Sequence, residues 1–198
     1  MGLASSVTYR PEYSEDPLPC AVLELDAAMG NYDVFLLPAR LAEWRSVLRG
    51  DHECGAVSLL YFMGHGGIDN STGRSFVMLE DGPAYANEIY GEDVRLGSLC
   101  RSVVLLNSCV SGKQIEGCGK FVGWPRALMD RGFCGLLAPI YEIVDKYSAA
   151  FAVQFVAEIF QQRKCVGRAI LDARTTLTPD TIGVLSYIYY GNVLTRFS

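Results

Sequence analysis

The sequence has few of the features that mark nucleic-acid binding, membrane insertion or metal binding. Its 17 Lys and Arg stand against 22 Asp and Glu, a net charge of −5, and the basic residues form no run, which argues against a nucleic-acid partner. No apolar stretch reaches ten residues, whereas a membrane-spanning helix needs about 20. The two histidines never group with cysteines at zinc-ligand spacing. Residues 64–67 (GHGG) lack the Lys and Ser/Thr of a phosphate-binding loop. We therefore expect no membrane span, no metal and no cofactor.

A disulfide framework is also not expected. The seven cysteines are an odd number and include no C-x-x-C pair. Cys20, Cys100 and Cys134 lie in or beside apolar runs, where cysteine behaves as a small hydrophobe. Residues 1–10 carry neither the basic start nor the apolar segment of a signal peptide. These features together predict a reduced, cytoplasmic protein.

The length and the hydrophobic pattern predict a single α/β domain. The chain has 198 residues, half of them hydrophobic, enough for a sizeable core. Three apolar runs without alternation are typical of strands covered on both faces: residues 57–63, 102–107 and 134–140. Four segments have helical spacing: residues 38–49, 124–131, 147–162 and 166–175. Alternating strands and helices predict a three-layer α/β sandwich with a mostly parallel central sheet.

Three further segments carry predictions that the structure can test. Residues 1–19 are polar with three prolines and are expected to be a flexible lead-in, so that the domain spans 20–198. Residues 20–25 are expected to form a strand. Residues 112–123 contain four glycines and several polar side chains, which favours a mobile loop over the site, with an ordinary connection as the alternative.

Two short segments carry the candidate chemistry: residues 63–67 (MGHGG) and residues 106–112 (LNSCVSG). Each follows a predicted buried strand, so parallel pairing of those strands would bring His65 and Cys109 together at the carboxyl edge of the sheet. A thiol is only slightly ionised at neutral pH and needs a base before it can attack a carbonyl. The other histidine, His52, lies in a polar stretch and is expected in solvent. A cysteine nucleophile with a histidine base is therefore the leading hypothesis.

The alternative is a structural role for both residues. Cys109 could be a small buried residue at a strand end, and His65 a hydrogen-bonded histidine in a turn. The turn-forming residues around Cys109 and the glycines around His65 favour the catalytic interpretation. Backbone amides at Gly66 and Cys109 could bind a developing oxyanion, and one such donor is typically worth about 2.7–4 kcal/mol. No third partner for His65 can be identified.

The order of these motifs resembles the caspase-like (clan CD) cysteine peptidases, and within them the CHAT branch, which includes separase-like enzymes. In that branch the cysteine lies in a Leu-Ser-Ala-Cys-x-x-Gly type segment, similar to residues 106–112. Residues 135–145 resemble its strand ending in a Trp-x-Val-x-Asp type loop, and residues 167–174 resemble one of the two helices that follow. Residues 187–197 resemble its closing Tyr-Gly-Asp-Pro segment. The resemblance covers roughly residues 30–197.

The resemblance implies specific roles. His65 would be the base, Cys109 the nucleophile, and the amides of Gly66 and Cys109 the oxyanion hole. The loop after the third strand lines the S1 pocket in this family, so Asp145, and second Glu142, would bind a basic P1 side chain, because a carboxylate matches the arginine fork. The alternative is that both carboxylates cap the following helix. The implied activity is a cysteine endopeptidase that cuts protein or peptide substrates after Arg more than Lys.

The resemblance also has departures. Asn107, Tyr141 and Asn192 replace commoner residues without removing chemistry. The family usually has another strand and helix before the region of Asp33, so the chain could depend on a partner or a flanking region. A regulatory partner or a flanking sensor domain is therefore expected. The alternative function is a catalytically idle caspase-like scaffold for protein interaction. A serine hydrolase is disfavoured, because no Gly-x-Ser-x-Gly segment occurs.

Overall fold

The computed structural model of the protein describes residues 2–6, 18–32, 34–51, 57–91, 93–117, 120–177 and 182–197. The predictions for His52 and for residues 7–17 lie outside these ranges.

Within these ranges, six strands form a central sheet: β1 (Gly2–Ser6), β2 (Val34–Pro38), β3 (Leu59–Met63), β7 (Val103–Asn107), β10 (Gly135–Pro139) and β11 (Tyr187–Gly191). Their order across the sheet is β11–β10–β7–β3–β1–β2. Every neighbouring pair is parallel except β10 with β11, which is antiparallel. The predicted mostly parallel sheet is confirmed.

Two small antiparallel sheets follow the central strands that carry the candidate residues. One contains β4 (Gly66–Ile68), β5 (Ser75–Leu79) and β6 (Gly82–Tyr85). The other is the hairpin of β8 (Ile115–Gly117) and β9 (Lys120–Val122). The sequence predicts a loop over residues 112–123, which is wrong for the two hairpin strands.

Helices cover both faces of the central sheet. They are α1 (Pro19–Asn31), α2 (Leu41–Arg49), α3 (Leu96–Cys100), α4 (Trp124–Met129), α5 (Asp145–Phe160) and α6 (Val166–Thr176), with 3₁₀ turns at Ala86–Tyr90 and Ile182–Ser186. Helices α1, α5 and α6 contribute to the hydrophobic core on one face, and α2, α3 and α4 to the core on the other. The three-layer α/β sandwich predicted from the sequence is confirmed.

The apolar runs of the central strands are explained by this double cover. In β7, Val104 and Leu106 lie in the core that α2 and α4 share, whereas Val103 and Leu105 lie in the core of α1, α5 and α6. Successive side chains of a strand point to opposite faces, so a strand between two helix layers has no polar face. Each such buried side chain contributes about 1.5–3 kcal/mol.

The N-terminal part of the chain differs from the sequence prediction. Gly2–Ser6 is not a lead-in but an inner strand, paired with β2 on one side and β3 on the other. Residues 20–25 are part of α1 rather than a strand. Pro19 occupies the first turn of that helix, a position where proline is favoured because the amide has no partner there. A strand and a helix therefore precede Val34, contrary to expectation.

Candidate active site

His65 and Cys109 occupy equivalent positions on neighbouring strands. In the parallel pairing of β3 with β7, Met63 lies opposite Asn107. Each candidate residue follows two positions later, at the carboxyl edge of the sheet. Both side chains are half-buried and line one cleft. The structure thus places the two predicted residues at one site.

The two loops that carry these residues are in direct contact. The Gly64 N–H donates to the carbonyl oxygen of Asn107 at 3.3 Å. A Cβ atom at Gly66 would lie 2.9 Å from the Ser108 Oγ and 3.0 Å from the Cys109 carbonyl oxygen. These distances are too short for a side chain, so glycine is required at position 66 for the loops to approach.

The turn after β7 is held by its own hydrogen bonds. The Ser111 hydroxyl donates to the Ser108 carbonyl at 2.7 Å, and the Ser111 N–H points to the same oxygen at 3.4 Å. Val110, next to Cys109, has a φ of 58°, in the left-handed region that β-branched residues rarely adopt. Strain of this kind persists only where surrounding contacts enforce it, and it is common at functional sites.

The far end of this turn is fixed to β10. The Gly112 N–H donates to the Pro139 carbonyl at 2.8 Å. A Cβ at Gly112 would lie 2.6 Å from the Ala138 carbonyl oxygen, so a side chain has no room there. The Cys109 turn is therefore held between the end of β10 and the His65 loop.

The Cys109 thiol faces the segment between β10 and α5. Its Sγ lies 3.7 Å from the Ile143 carbonyl oxygen, within the range of a weak S–H donor. Ile143 also lines the cleft. The segment predicted to line an S1 pocket is therefore in contact with the nucleophile candidate.

Asp145 and Glu142, the two predicted S1 carboxylates, occupy different positions. Asp145 lines the cleft and is half-buried as the first residue of α5. Its Oδ2 accepts the Cys20 N–H of α1 at 2.8 Å, so the carboxylate stabilises the start of a different helix from its own. Glu142 is exposed and is not among the residues that line the cleft.

Glu24 is a cleft residue that the sequence did not indicate. It lies on α1, is 2% exposed, and accepts from the Asn107 Nδ2 at 2.8 and 2.9 Å with its two oxygens. Burial raises the pKa of Glu24 well above its usual value, and the charge of Asp145 raises it further, although the hydrogen bond from Asn107 acts in the opposite direction. The only sequence signal for this contact is that Asn107 stands where the resembled family has a commoner residue.

The cleft is narrow. Its free volume is about 20 Å³, which is room for one or two water molecules. Leu18, Ala21 and Ile143 supply the apolar part of its wall.

Three features are absent from the described part of the chain: a metal-ligand group, a membrane-spanning helix and a disulfide. It contains no group of three His, Cys, Asp or Glu side chains that could hold a metal ion. None of its helices is long and apolar enough to cross a bilayer. The cysteines within the described ranges, Cys20, Cys100, Cys109, Cys134 and Cys165, are free thiols.

Neither a family model nor a curated protein matches the sequence. Solved structures do match. The Saccharomyces cerevisiae separase–securin complex matches with a TM-score of 0.60 at 14% identity, over 96% of this chain and 12% of that one. The Arg-specific cysteine proteinase gingipain R (RgpB), from Porphyromonas gingivalis, matches with a TM-score of 0.63 at 12% identity, over 98% of this chain and 46% of that one. The Drosophila initiator caspase Dronc matches with a TM-score of 0.61 at 10% identity, over 98% and 80%.

These similarities define the fold class. Separase, gingipain R and Dronc share the caspase-like fold of clan CD cysteine peptidases, and this chain has that fold. The chain spans about an eighth of the separase chain and less than half of the gingipain chain. At such low identities the match describes the fold alone, and the activity has to be argued from the site.

Proposed function

We propose that the protein is a cysteine endopeptidase in which Cys109 is the nucleophile and His65 the general base. The observation that supports this most is the matching position of the two residues beyond paired strands, in one cleft. A thiol and an imidazole on adjoining loops are the minimum needed for covalent peptide hydrolysis. We also propose that the protein belongs to the CHAT branch, because of the sequence resemblance. We propose a cytoplasmic location, because the sequence predicts reduced cysteines.

The reaction follows from these two groups. His65 takes the thiol proton, and the Cys109 Sγ attacks the scissile carbonyl carbon to form a tetrahedral oxyanion. The oxyanion then collapses to a thioester as His65 gives its proton to the departing amine. Water, deprotonated by His65, attacks the thioester and releases the carboxylic acid and the thiol. Each proton that His65 accepts is returned in the next step.

The amides of Gly66 and Cys109 are the proposed oxyanion donors. The Cys109 N–H donates to no acceptor among the described residues, which leaves it available to a substrate oxygen. The close approach of Gly66 to the Cys109 turn supports this pairing of donors. Donors fixed in advance stabilise the oxyanion without reorganising during the reaction.

Asp145 is the proposed contact for a basic P1 side chain. It is a half-buried carboxylate in the same cleft as Cys109, and an arginine fork pairs well with such a group. Glu142 is a weaker candidate at the rim, because it is exposed. The substrate class is therefore proteins or peptides with Arg, and less readily Lys, at the cleavage site.

A protein partner or flanking domain that opens the cleft is part of the proposal. The enclosed free volume of the cleft is smaller than an arginine side chain, and we propose that the cleft wall moves as substrate binds. Two of the structures that resemble this chain contain a protein partner: separase is bound to securin, and RgpB is bound to its pro-domain.

The test is cleavage of a peptide library with varied P1 residues by the full chain and by Cys109→Ala. We expect cleavage after Arg in the wild type and none in the variant. Cys165→Ala is the matched control, since it removes another half-buried free cysteine away from the cleft. Equal turnover by wild type and Cys109→Ala would reject the proposal.

A second candidate is an idle caspase-like scaffold that binds partners without cleaving them. The narrow cleft is the observation that favours it. An arginyl chloromethyl ketone separates the two functions, because it alkylates Cys109 only if the P1 side chain enters the cleft and the thiolate is reactive. If Cys109 is labelled and free arginine prevents the labelling, the peptidase is supported. If Cys109 is not labelled, the scaffold is supported.

A further inference from the structure

Glu24 is a buried carboxyl group that the proposed dyad does not use. None of the ion pairs between described residues includes it. Burying a carboxylate without a cation is costly, so the hydrogen bonds that hold it have to compensate. Both of its oxygens are directed at the side-chain amide of Asn107.

The hydrogen bonds around Glu24 form a chain in which every donor points toward the Glu24 carboxylate. The Tyr187 hydroxyl donates to the Asn107 Oδ1, and the Asn107 Nδ2 donates to the Glu24 carboxylate. All three residues are buried, and the Tyr187 ring stacks on Phe151 with its centroid 4.1 Å away. Asparagine is the residue that fits the middle, because its oxygen only accepts and its nitrogen only donates. Position 107, where this chain departs from the resembled family, is therefore matched to a glutamate 83 positions earlier.

Asn107 also joins both catalytic loops. It is the last residue of β7, two positions before Cys109, and its carbonyl accepts the Gly64 N–H of the His65 loop. Its side chain extends to Glu24 on α1 and to Tyr187 on β11. The other ionisable groups around this point are Asp145 from α5, Cys20 from α1, and His65 and Cys109 of the cleft.

We propose that Glu24 is a positioning residue, which acts through Asn107 to hold the Cys109 turn in place beside the His65 loop. The effect on turnover rests on the proposed peptidase function, whereas the placement of Cys109 can be measured without turnover. Because Glu24 lies on α1, anything that moves α1 is expected to change the reactivity of the thiol. This assigns to α1 a role in the site beyond forming its wall.

The decisive experiment reverses the hydrogen bond between positions 24 and 107. Asn107→Asp sets two carboxylates face to face, with a second negative charge near the thiol. The combined Glu24→Gln, Asn107→Asp variant restores both links of the chain, since the new glutamine amide donates to the new aspartate, which still accepts from Tyr187. It also returns the number of carboxylates to one, as in the wild type.

The readout is the rate at which iodoacetamide alkylates Cys109 between pH 6 and pH 9 in the native full-length chain. Mass spectrometry of the tryptic peptide 102–113 reports on this thiol alone, because Cys109 is its only cysteine. We expect alkylation at pH 7 to be about tenfold slower in Asn107→Asp, corresponding to a thiol pKa about one unit higher. In the combined variant the rate returns to within about threefold of the wild type. Peptide cleavage, where present, follows the same order in kcat with KM unchanged.

Asn192→Asp is the matched control. Asn192 is exposed, and its Oδ1 accepts the Leu194 N–H, a bond that an aspartate retains. In the Asn192→Asp variant, Cys109 is expected to be alkylated at the wild-type rate. If Asn107→Asp does not fold, Tyr187→Phe removes one bond of the chain without adding a charge, and it is expected to slow alkylation about threefold.

Two outcomes overturn the positioning role. In the first, Cys109 is alkylated at the wild-type rate in both Asn107→Asp and Tyr187→Phe. In the second, the combined variant is folded, but its Cys109 is alkylated as slowly as in Asn107→Asp. The peptidase function fails separately. If no library peptide is cleaved but the alkylation rates follow the expected order, the positioning role is supported and the peptidase is rejected.

Discussion

The hydroxyl of Tyr190 donates to the carbonyl oxygen of Gly112 at 2.8 Å, which ties the last strand of the sheet to the turn that follows Cys109. Tyr187, three residues earlier on the same strand, bonds Asn107 on the other side of that turn. The antiparallel edge strand thus holds the nucleophile turn from both ends, which gives the closing segment of the chain a direct part in the site.

Tyr190→Phe tests one of these two contacts. Loss of the hydroxyl leaves the Gly112 carbonyl without that donor, and the free energy of unfolding is expected to fall by about 0.5–1.5 kcal/mol. Urea unfolding measures it. Tyr141→Phe removes a hydroxyl from an exposed ring and is expected to change nothing. Equal stability of the two variants would contradict the structural role of the Tyr190 hydroxyl.

Gly66→Ala tests the close approach of the two catalytic loops. The added methyl group would lie 2.9 Å from the Ser108 Oγ and 3.0 Å from the Cys109 carbonyl oxygen. Such overpacking typically costs about 1–3 kcal/mol, and the displaced loop is expected to reduce Cys109 alkylation and any peptide cleavage. In contrast, Gly30→Ala at the end of α1 meets no atom within 4 Å and is expected to be neutral or stabilising. Normal Cys109 reactivity in a stable Gly66→Ala variant would show that the loops do not need this contact.

The two serines on either side of Cys109 are expected to differ in how much stability each loses on replacement by alanine. The Ser108 hydroxyl is buried with no hydrogen-bond partner among the described residues, so its removal costs little or nothing. The Ser111 hydroxyl donates to the Ser108 carbonyl, and Ser111→Ala is expected to cost about 1 kcal/mol. Urea unfolding of the two variants is a matched comparison, since each loses one buried hydroxyl. A larger loss for Ser108→Ala would show that its hydroxyl has a partner in solution.

The sequence predicted the sheet better than it predicted the site's surroundings. The apolar runs of β3, β7 and β10 follow directly from burial on two faces, and pairing of these strands brought His65 and Cys109 together as expected. Strand β1, read as GLASS, has neither a long apolar run nor alternation, so its inner place in the sheet had no local signal. Glu24 lay in a segment that was predicted as a strand. Its role depends on a contact with Asn107, 83 positions away.

The buried carboxyl of Glu24 makes stability depend on pH. Burial raises its pKa in the folded protein above the usual 4.5, so between 4.5 and the raised value the folded state holds a proton that the unfolded state has lost. Stability therefore falls as pH rises through this window. Glu24→Gln lacks the titration, and its free energy of unfolding relative to wild type is expected to increase from pH 4.5 upward and then level off. Urea unfolding at several pH values measures it, and a difference that stays constant from pH 4 to pH 8 would show that Glu24 titrates normally.

Asp145→Asn separates the charge of the proposed S1 residue from its structural contact. An asparagine oxygen can still accept the Cys20 N–H, so α1 is expected to keep its place while the negative charge is lost. A hydrogen bond to a charged group contributes about 1.5–3 kcal/mol, and kcat/KM for arginyl peptides is therefore expected to fall by about 10- to 150-fold. Peptides with an uncharged P1 residue are expected to change little. Glu142→Gln removes the charge of the second candidate, which is exposed, and is expected to lower kcat/KM for arginyl peptides less than Asp145→Asn does. If Asp145→Asn keeps the full preference for arginine, the basic side chain is bound by a different group.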